Sequence, residues 1–381
     1  MGNRVTLVAG NNLSRIKSNK INLVDDNRKI SLRKELIVFD SSVDASFRFT
    51  INTANTSAGS TTSTQFKLPL LGTPNFTVFW GDGESDVITS NNQAEATHTY
   101  SISGVYSVVI TGLIDGWAFS NLGDREKILD VSNWGTNTKV SVSGFFGCTN
   151  LTVSATDIFI IDGTSTSSMF RSCTSLTSFP GLDLLDVSAV TTPTSMFLGC
   201  TNFNQAIPSW DVTAFASMAS MFQSCSSFAG TGLDSWRPSA VTGSMVNTFF
   251  GCTPLSFDAS AWASQPSTMQ NTFFACASFN SAFTSLNTSN CTSLNSTFRG
   301  TAMNQNLGGL DISSVTDAGN FLLSVTMSTA NWSNTLIGWE AQGTSGAATF
   351  HGGFSQRNAA GTTAKDSMNG RGYTIIDGGA E

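Results

Sequence analysis

Seven cysteines, two histidines and one acidic turn are the groups in this 381-residue chain with the clearest potential for chemistry beyond packing. Asp82-Gly83-Glu84-Ser85-Asp86 sets three carboxylates at alternate positions, which could offer oxygen ligands to calcium. The rest of an EF-hand loop is missing, however, and a hairpin turn accounts for Gly81 and Gly83 without a metal. The cysteines could be staples or thiolate ligands. Seven is odd, there is no C-x-x-C pair, and His98 and His351 both fall outside the cysteine run, so zinc is not expected. Neither a G-x-S-x-G elbow nor a phosphate-cradling glycine loop occurs. A glycosidase would need a paired acid and nucleophile, for which the spacing gives no evidence. The chain therefore reads as non-enzymatic, with no cofactor and no metal beyond the calcium candidate Asp82, Glu84 and Asp86.

The cysteines recur in a frame. Phe145-Cys148-Leu151, Phe170-Cys173-Leu176, Phe197-Cys200-Phe203, Phe222-Cys225-Phe228, Phe249-Cys252-Leu255 and Phe273-Cys276-Phe279 follow one another every 24 to 27 residues, with degenerate copies at Phe298-Thr301 and Phe321-Ser324-Met327. A fixed period of this length predicts a solenoid, each repeat one coil stacked on the last at the spacing of paired strands. A side chain in such a column must be buried and similar in size from coil to coil. Phe supplies bulk, and Cys is small, soft and readily buried. Thr301 and Ser324 keep nearly the same volume, and Cys291, seven residues before Phe298, stands where Val190 precedes Phe197. The cysteines are thus expected to be free, buried column fillers. Parallel neighbours seldom offer the torsion a disulfide needs.

Composition narrows the function classes. Only 12% of residues are charged, and Ser, Thr, Asn and Gly fill the gap. Residues 1–48 carry nine Lys/Arg against five Asp/Glu, and the remainder ten against twenty-one. From Phe145 to Met327 the cations are Arg171, Arg237 and Arg299 alone, which argues against nucleic-acid binding. No apolar run reaches membrane-spanning length, and the first residues lack a secretory apolar core. Gly2 and Thr6 formally satisfy a myristoylation pattern.

Residues 1–46 mix basic and apolar residues without a clean period and are expected to form a docking arm. From Phe47 to Gly112 strands alternate: Phe47-Phe49-Ile51, Phe66-Leu68-Leu70, Phe76-Val78-Trp80 and Val105-Tyr106-Val108-Ile110, which predicts a small antiparallel sandwich over 47–115. Within it, Trp80-Gly81-Asp82-Gly83, His98-Thr99-Tyr100 and Gly104-Val105-Tyr106-Ser107-Val108 resemble the polycystic-kidney-disease (PKD) type of immunoglobulin-like domain, a resemblance that implies a spacer or adhesion module. His98 is expected to bond the turn around Asp82, and His351 to lie at the surface or cap.

About twelve residues before each Phe comes a second element: Leu185-Asp186-Val187, Trp210-Asp211-Val212, Trp236, Trp262, Leu286 and Leu310-Asp311-Ile312. Its aspartates are expected to cap turns. Together with the Phe-Cys frame, and most completely from Trp210 through Phe228, this pattern resembles the BspA-type leucine-rich-repeat surface proteins over roughly residues 128–379. Asn331 to Trp339 and Tyr373 to Gly379 fit that family's closing unit. The expected organisation is a mainly β chain: arm (1–46), PKD-like sandwich (47–115), leucine-rich-repeat-type solenoid of about eight coils (116–328) and C-terminal cap (329–381). A surface-type protein with no export signal points to a bacteriophage virion protein, such as a capsid decoration, head fibre or tail adhesin. Its arm would meet other virion proteins, and its solenoid a cell-surface glycan or protein receptor. A bacterial cell-surface adhesin is the alternative. Homo-oligomerisation, the ligand and the binding face stay open.

Overall fold

The computed structural model describes residues 22–25, 28–31 and 44–381. The expected arm and the Gly2/Thr6 pattern lie mostly or wholly outside these residues. Residues 1–44 form one unit, in which β1 (Asn22–Asp25) and β2 (Arg28–Ser31) pair antiparallel. Residues 45–381 form the other.

The second unit opens with β3 (Phe47–Asn52), β4 (Gln65–Lys67), β5 (Asn75–Phe79), β6 (Ser85–Ile88), β7 (Thr97–Thr99), β8 (Val105–Leu113), β9 (Ile128–Asn133), β10 (Lys139–Val140), β11 (Thr152–Val153) and β12 (Ile160–Ile161). Six of them make one open sheet in the order β11-β9-β3-β8-β5-β6, while β4 pairs with β7 and β10 with β12. The alternation seen in the sequence is the alternation of faces: Phe47, Phe49 and Ile51 are buried on β3, and Val108 and Ile110 on β8. Phe66 on β4 meets Phe49 on β3, with ring centroids 6.0 Å apart.

The sheet does not stop where the sequence pattern changes at residue 115. Ile128–Asn133, read from sequence as an imperfect first coil, pairs antiparallel with β3, and β11 pairs in parallel with it, Thr152 against Asp130 and Val153 against Val131. One strand therefore belongs to both patterns. Apolar Ile128 and Val131 face the core of the sheet, and β11, the parallel partner of β9, comes from the next repeat.

Beyond residue 161 the repeats contain few regular strands, because they are built from turns. Each column Phe from Phe145 to Phe298 lies between two left-handed residues. Two positions before it stand Ser143, Ser168, Ser195, Ser220, Asn247, Asn271 and Ser296, at φ of 54 to 57°. Two positions after it come Gly147, Ser172, Gly199, Ser224, Gly251, Ala275 and Gly300, at 59 to 83°. This bend points alternate amides at the next repeat. The Ser220, Phe222 and Ser224 N–H groups donate to the Val246, Thr248 and Phe250 carbonyls at 2.8, 2.9 and 2.7 Å. The same set recurs from Ser168, Phe170 and Ser172 to Thr194, Met196 and Leu198 at 3.0, 2.9 and 2.7 Å. Backbone polar groups in the buried turns are thereby paired from repeat to repeat without a strand.

Two helices stand near the end of the chain. α1 (Thr329–Ala341) starts at Ser328, whose side chain accepts the Asn331 N–H, and buries Trp332, Leu336 and Trp339 at helical spacing. β13 (Thr349–His351) follows, then α2 (Ala359–Gly370), capped by Asn358, then β14 (Thr374–Ile376), parallel to β13. A parallel bridge from Ala318 to Phe350 joins this region to the last repeat. Sheet and turn thus predominate, with α1 and α2 the α-helices among the described residues.

Candidate functional site

The repeat column is assembled from its aromatic rings. Phe145, Phe170, Phe197, Phe222, Phe249, Phe273 and Phe298 are all fully buried. Successive rings lie 5.6 to 5.7 Å apart and within 9° of parallel. The run ends at Phe321, whose ring stands at 75° to that of Phe298. Burying each of these side chains contributes about 1.5–3 kcal/mol.

The cysteines do more than fill space. The Cys173, Cys200, Cys225, Cys252 and Cys276 thiols each donate to the carbonyl of the Phe one repeat earlier, at 2.9 to 3.1 Å. All seven cysteines, Cys148 and Cys291 included, are free and buried. Burial raises the pKa of Cys148, Cys173, Cys225, Cys252 and Cys276, and pushes Cys291 up to about 11. The thiolate that a nucleophile or metal ligand requires is therefore disfavoured. The size requirement is legible in the repeat itself, but the bond to the preceding turn depends on the fold. Thr301 turns its hydroxyl instead to its own repeat, at the Phe298 carbonyl (2.7 Å).

The acidic turn comes apart as a ligand set. Asp82 Oδ2 lies 2.8 Å from His98 Nε2, as the H-x-Y spacing implies, and Asp82 Oδ1 accepts the Glu84 N–H. Asp86 points elsewhere and accepts the Trp80 indole N–H at 2.8 Å. Asp82, Glu84 and Asp86 do not converge on one point, and no group of three metal-ligating side chains occurs among the described residues. His98 stacks flat on Trp80 at 4.8 Å and meets Tyr100 edge-on, while the Tyr100 hydroxyl donates to the Trp80 carbonyl. Burial works against the Asp82 carboxylate, but the bonds from His98 and the Glu84 amide outweigh it and hold its pKa below the ordinary value. This cluster closes the β5–β6 turn onto β7. His351 is half-buried, and its Nδ1 accepts the Gly353 N–H.

The other carboxylates are similarly engaged. Asp186, Asp211 and Asp311 accept the N–H groups of Ser188, Thr213 and Ser313, the expected capped turns. Asp183 clasps the next repeat through Ser209. A site that composition did not flag lies beside a recess of about 370 Å³ lined in part by Thr61, Leu68, Phe119, Leu122 and Asp124. There Lys127, fully buried, lies 3.3 Å from Asp124 and donates to the Thr61, Thr62 and Gln65 carbonyls. Asp124 in turn accepts from the Thr61 amide and hydroxyl and from the Lys67 amide, each at 2.7 Å. Its lone pairs are committed to holding the 61–67 segment.

Residues 164–268 and 243–351 match the family described as "Mycoplasma protein of unknown function, DUF285". No curated protein and no solved structure matches the chain. Across residues 164–351 the chain is similar to that family, a likeness that suggests a surface repeat protein.

Proposed function

We propose that this chain is a non-enzymatic structural and interaction protein: a leucine-rich-repeat-type solenoid, led by a PKD-like module, that presents an attachment surface. The observation that carries the reading is where the reactive groups go. The thiols of Cys173, Cys200, Cys225, Cys252 and Cys276 and the His98–Asp82 pair hold one repeat or strand to another, and Asp186, Asp211 and Asp311 cap their own turns. The outside of the stack is rich in Ser, Thr and Asn, with Asp186, Asp211 and Leu184 exposed among them.

The carrier we favour is a bacteriophage virion, with the protein displayed as a capsid decoration, head fibre or tail adhesin. The basic composition of residues 1–46 supports an arm that docks on acidic partners. The similarity to a Mycoplasma family favours the second reading, a cell-surface adhesin. Mass spectrometry of purified particles separates the two. The virion reading expects the chain in particles and its loss from them when residues 1–46 are deleted. Recovery from the surface of intact cells, with particles free of it, would establish the adhesin instead.

A further inference from the structure

One face of the stack differs in charge from the rest. In the Phe-bearing turns, residues 163–174, 190–201, 215–226, 242–253, 266–277 and 291–302 contain no carboxylate and two arginines, Arg171 and Arg299. Asp183, Asp186, Asp211, Asp234 and Asp258 all fall in the intervening segments, and the face ends at the Phe321 turn, where Asp317 accepts from Ser293 and Asn295. Both arginines occupy the position just after the column Phe, where Phe146, Gln223, Phe250 and Phe274 also stand, all of them half-buried. This position makes a stripe along the stack.

Its contacts are unusual for a plain solvated surface. The Arg171 guanidinium lies over the Phe146 ring at 4.8 Å, and that of Arg299 over Phe274 at 5.0 Å. Among the described residues neither arginine has an ion-pair partner, in contrast to Lys139, Arg357 and Arg371. Arg171 Nε is buried without a hydrogen-bond partner. Phe250 and Phe274 pack edge to face at 4.8 Å between the two cations. Five repeats separate the arginines, roughly 24 Å at about 4.8 Å per repeat.

We infer that this stripe binds an extended anionic glycan lying along the stack. This rests on the attachment reading above and names the partner. Two uncompensated guanidinium groups complement sparse negative charge, each planar and preorganised on a ring. The half-buried rings accept the apolar faces of sugars, while Gln223 and the neighbouring Ser, Thr and Asn side chains suit hydroxyl groups. Two charges over this length are too few for a polyphosphate backbone, which is gripped by many.

The test uses the full chain with hyaluronan, dextran, polyglutamate and single-stranded DNA as probes, in affinity gel electrophoresis at low and high salt. The expected result is retardation by hyaluronan that weakens with salt, drops at least tenfold in the R171Q/R299Q double variant, and is unchanged in D183N/D211N. Unchanged thermal unfolding of the double variant shows that it is folded. Equal retardation of wild type and the double variant, equal retardation by dextran, or tighter binding to polyglutamate or DNA would overturn the inference. So would the absence of retardation by any probe. Each of these outcomes leaves the attachment reading to its own test on particles and cells.

Discussion

Cys225 shows how a small buried residue can hold two requirements at once. Its side chain fills a column position of fixed size, and its thiol donates to the Phe197 carbonyl at 3.0 Å. Cys225→Ala should cost about 1–2 kcal/mol, the sum of a small cavity and one hydrogen bond, read as a lowered urea midpoint. Because burial raises these thiol pKa values, the native chain should react negligibly with a thiol reagent at pH 8. In denaturant all seven cysteines should label. Rapid labelling of the native chain would contradict the packing described. At the other reactive cluster, the folded-state pKa of Asp82 is depressed. Its contribution to stability is present above the unfolded value and lost as pH falls through the folded one. Asp82→Asn should therefore flatten the acid limb of the stability profile below about pH 4, where Asp normally titrates. An unchanged acid limb in the variant would show that His98 and Asp82 are not coupled.

At the scale of the element, the repeat is a turn whose shape depends on left-handed residues. Ser220 sits at φ 55° with a full side chain. A left-handed residue with a Cβ costs about 1–2 kcal/mol, so Ser220→Gly should be neutral or stabilising and Ser220→Val destabilising by at least as much. Thermal unfolding of the two variants tests the sign. Phe222→Ala should cost about 3–5 kcal/mol because the ring is fully buried between parallel neighbours. The Phe-Cys period was legible in sequence because a column makes the same demand in every repeat. The Ser, Asn, Gly and Ala residues flanking each Phe were present too. Their left-handed role was obscured because only Gly announces it, and Ser, Asn and Ala replace Gly without changing the bend. α1 had a readable start in Ser328 followed by Trp332, Leu336 and Trp339, but its short apolar spacing was absorbed into the cap.

For the whole molecule, the continuity of the sheet across residue 115 has a measurable consequence. A fragment beginning at residue 116 would lose β3 and expose Ile128 and Val131, as well as Trp134, whose ring stacks on Phe47 at 5.7 Å. That fragment should aggregate or lack a cooperative transition, whereas 45–381 should unfold with one. A soluble, cooperatively folding 116–381 would show that the sheet and the repeats are independent. Lys127 makes the same point from inside. Removing its ammonium leaves three carbonyls without their donor and the buried Asp124 carboxylate without its counter-charge, so Lys127→Met should cost about 3–5 kcal/mol, measured by denaturant titration.

The sequence by itself determined the period of the repeats, the buried Phe and Cys columns, the strands from Phe47 to Ile110 and the His98–Asp82 bond. Each of these follows from a local rule: a recurring size, an alternation of faces, or a short turn. Tertiary structure alone decided that Ile128–Asn133 closes a sheet as well as opening the stack, that five of the thiols reach back to the previous Phe carbonyl, that Asp82 and Asp86 face different partners, and that the Arg171 and Arg299 guanidinium groups lie over rings of the preceding repeat. These depend on residues 20 or more positions apart, or on the direction in which a side chain points. No one-dimensional spacing carries that information.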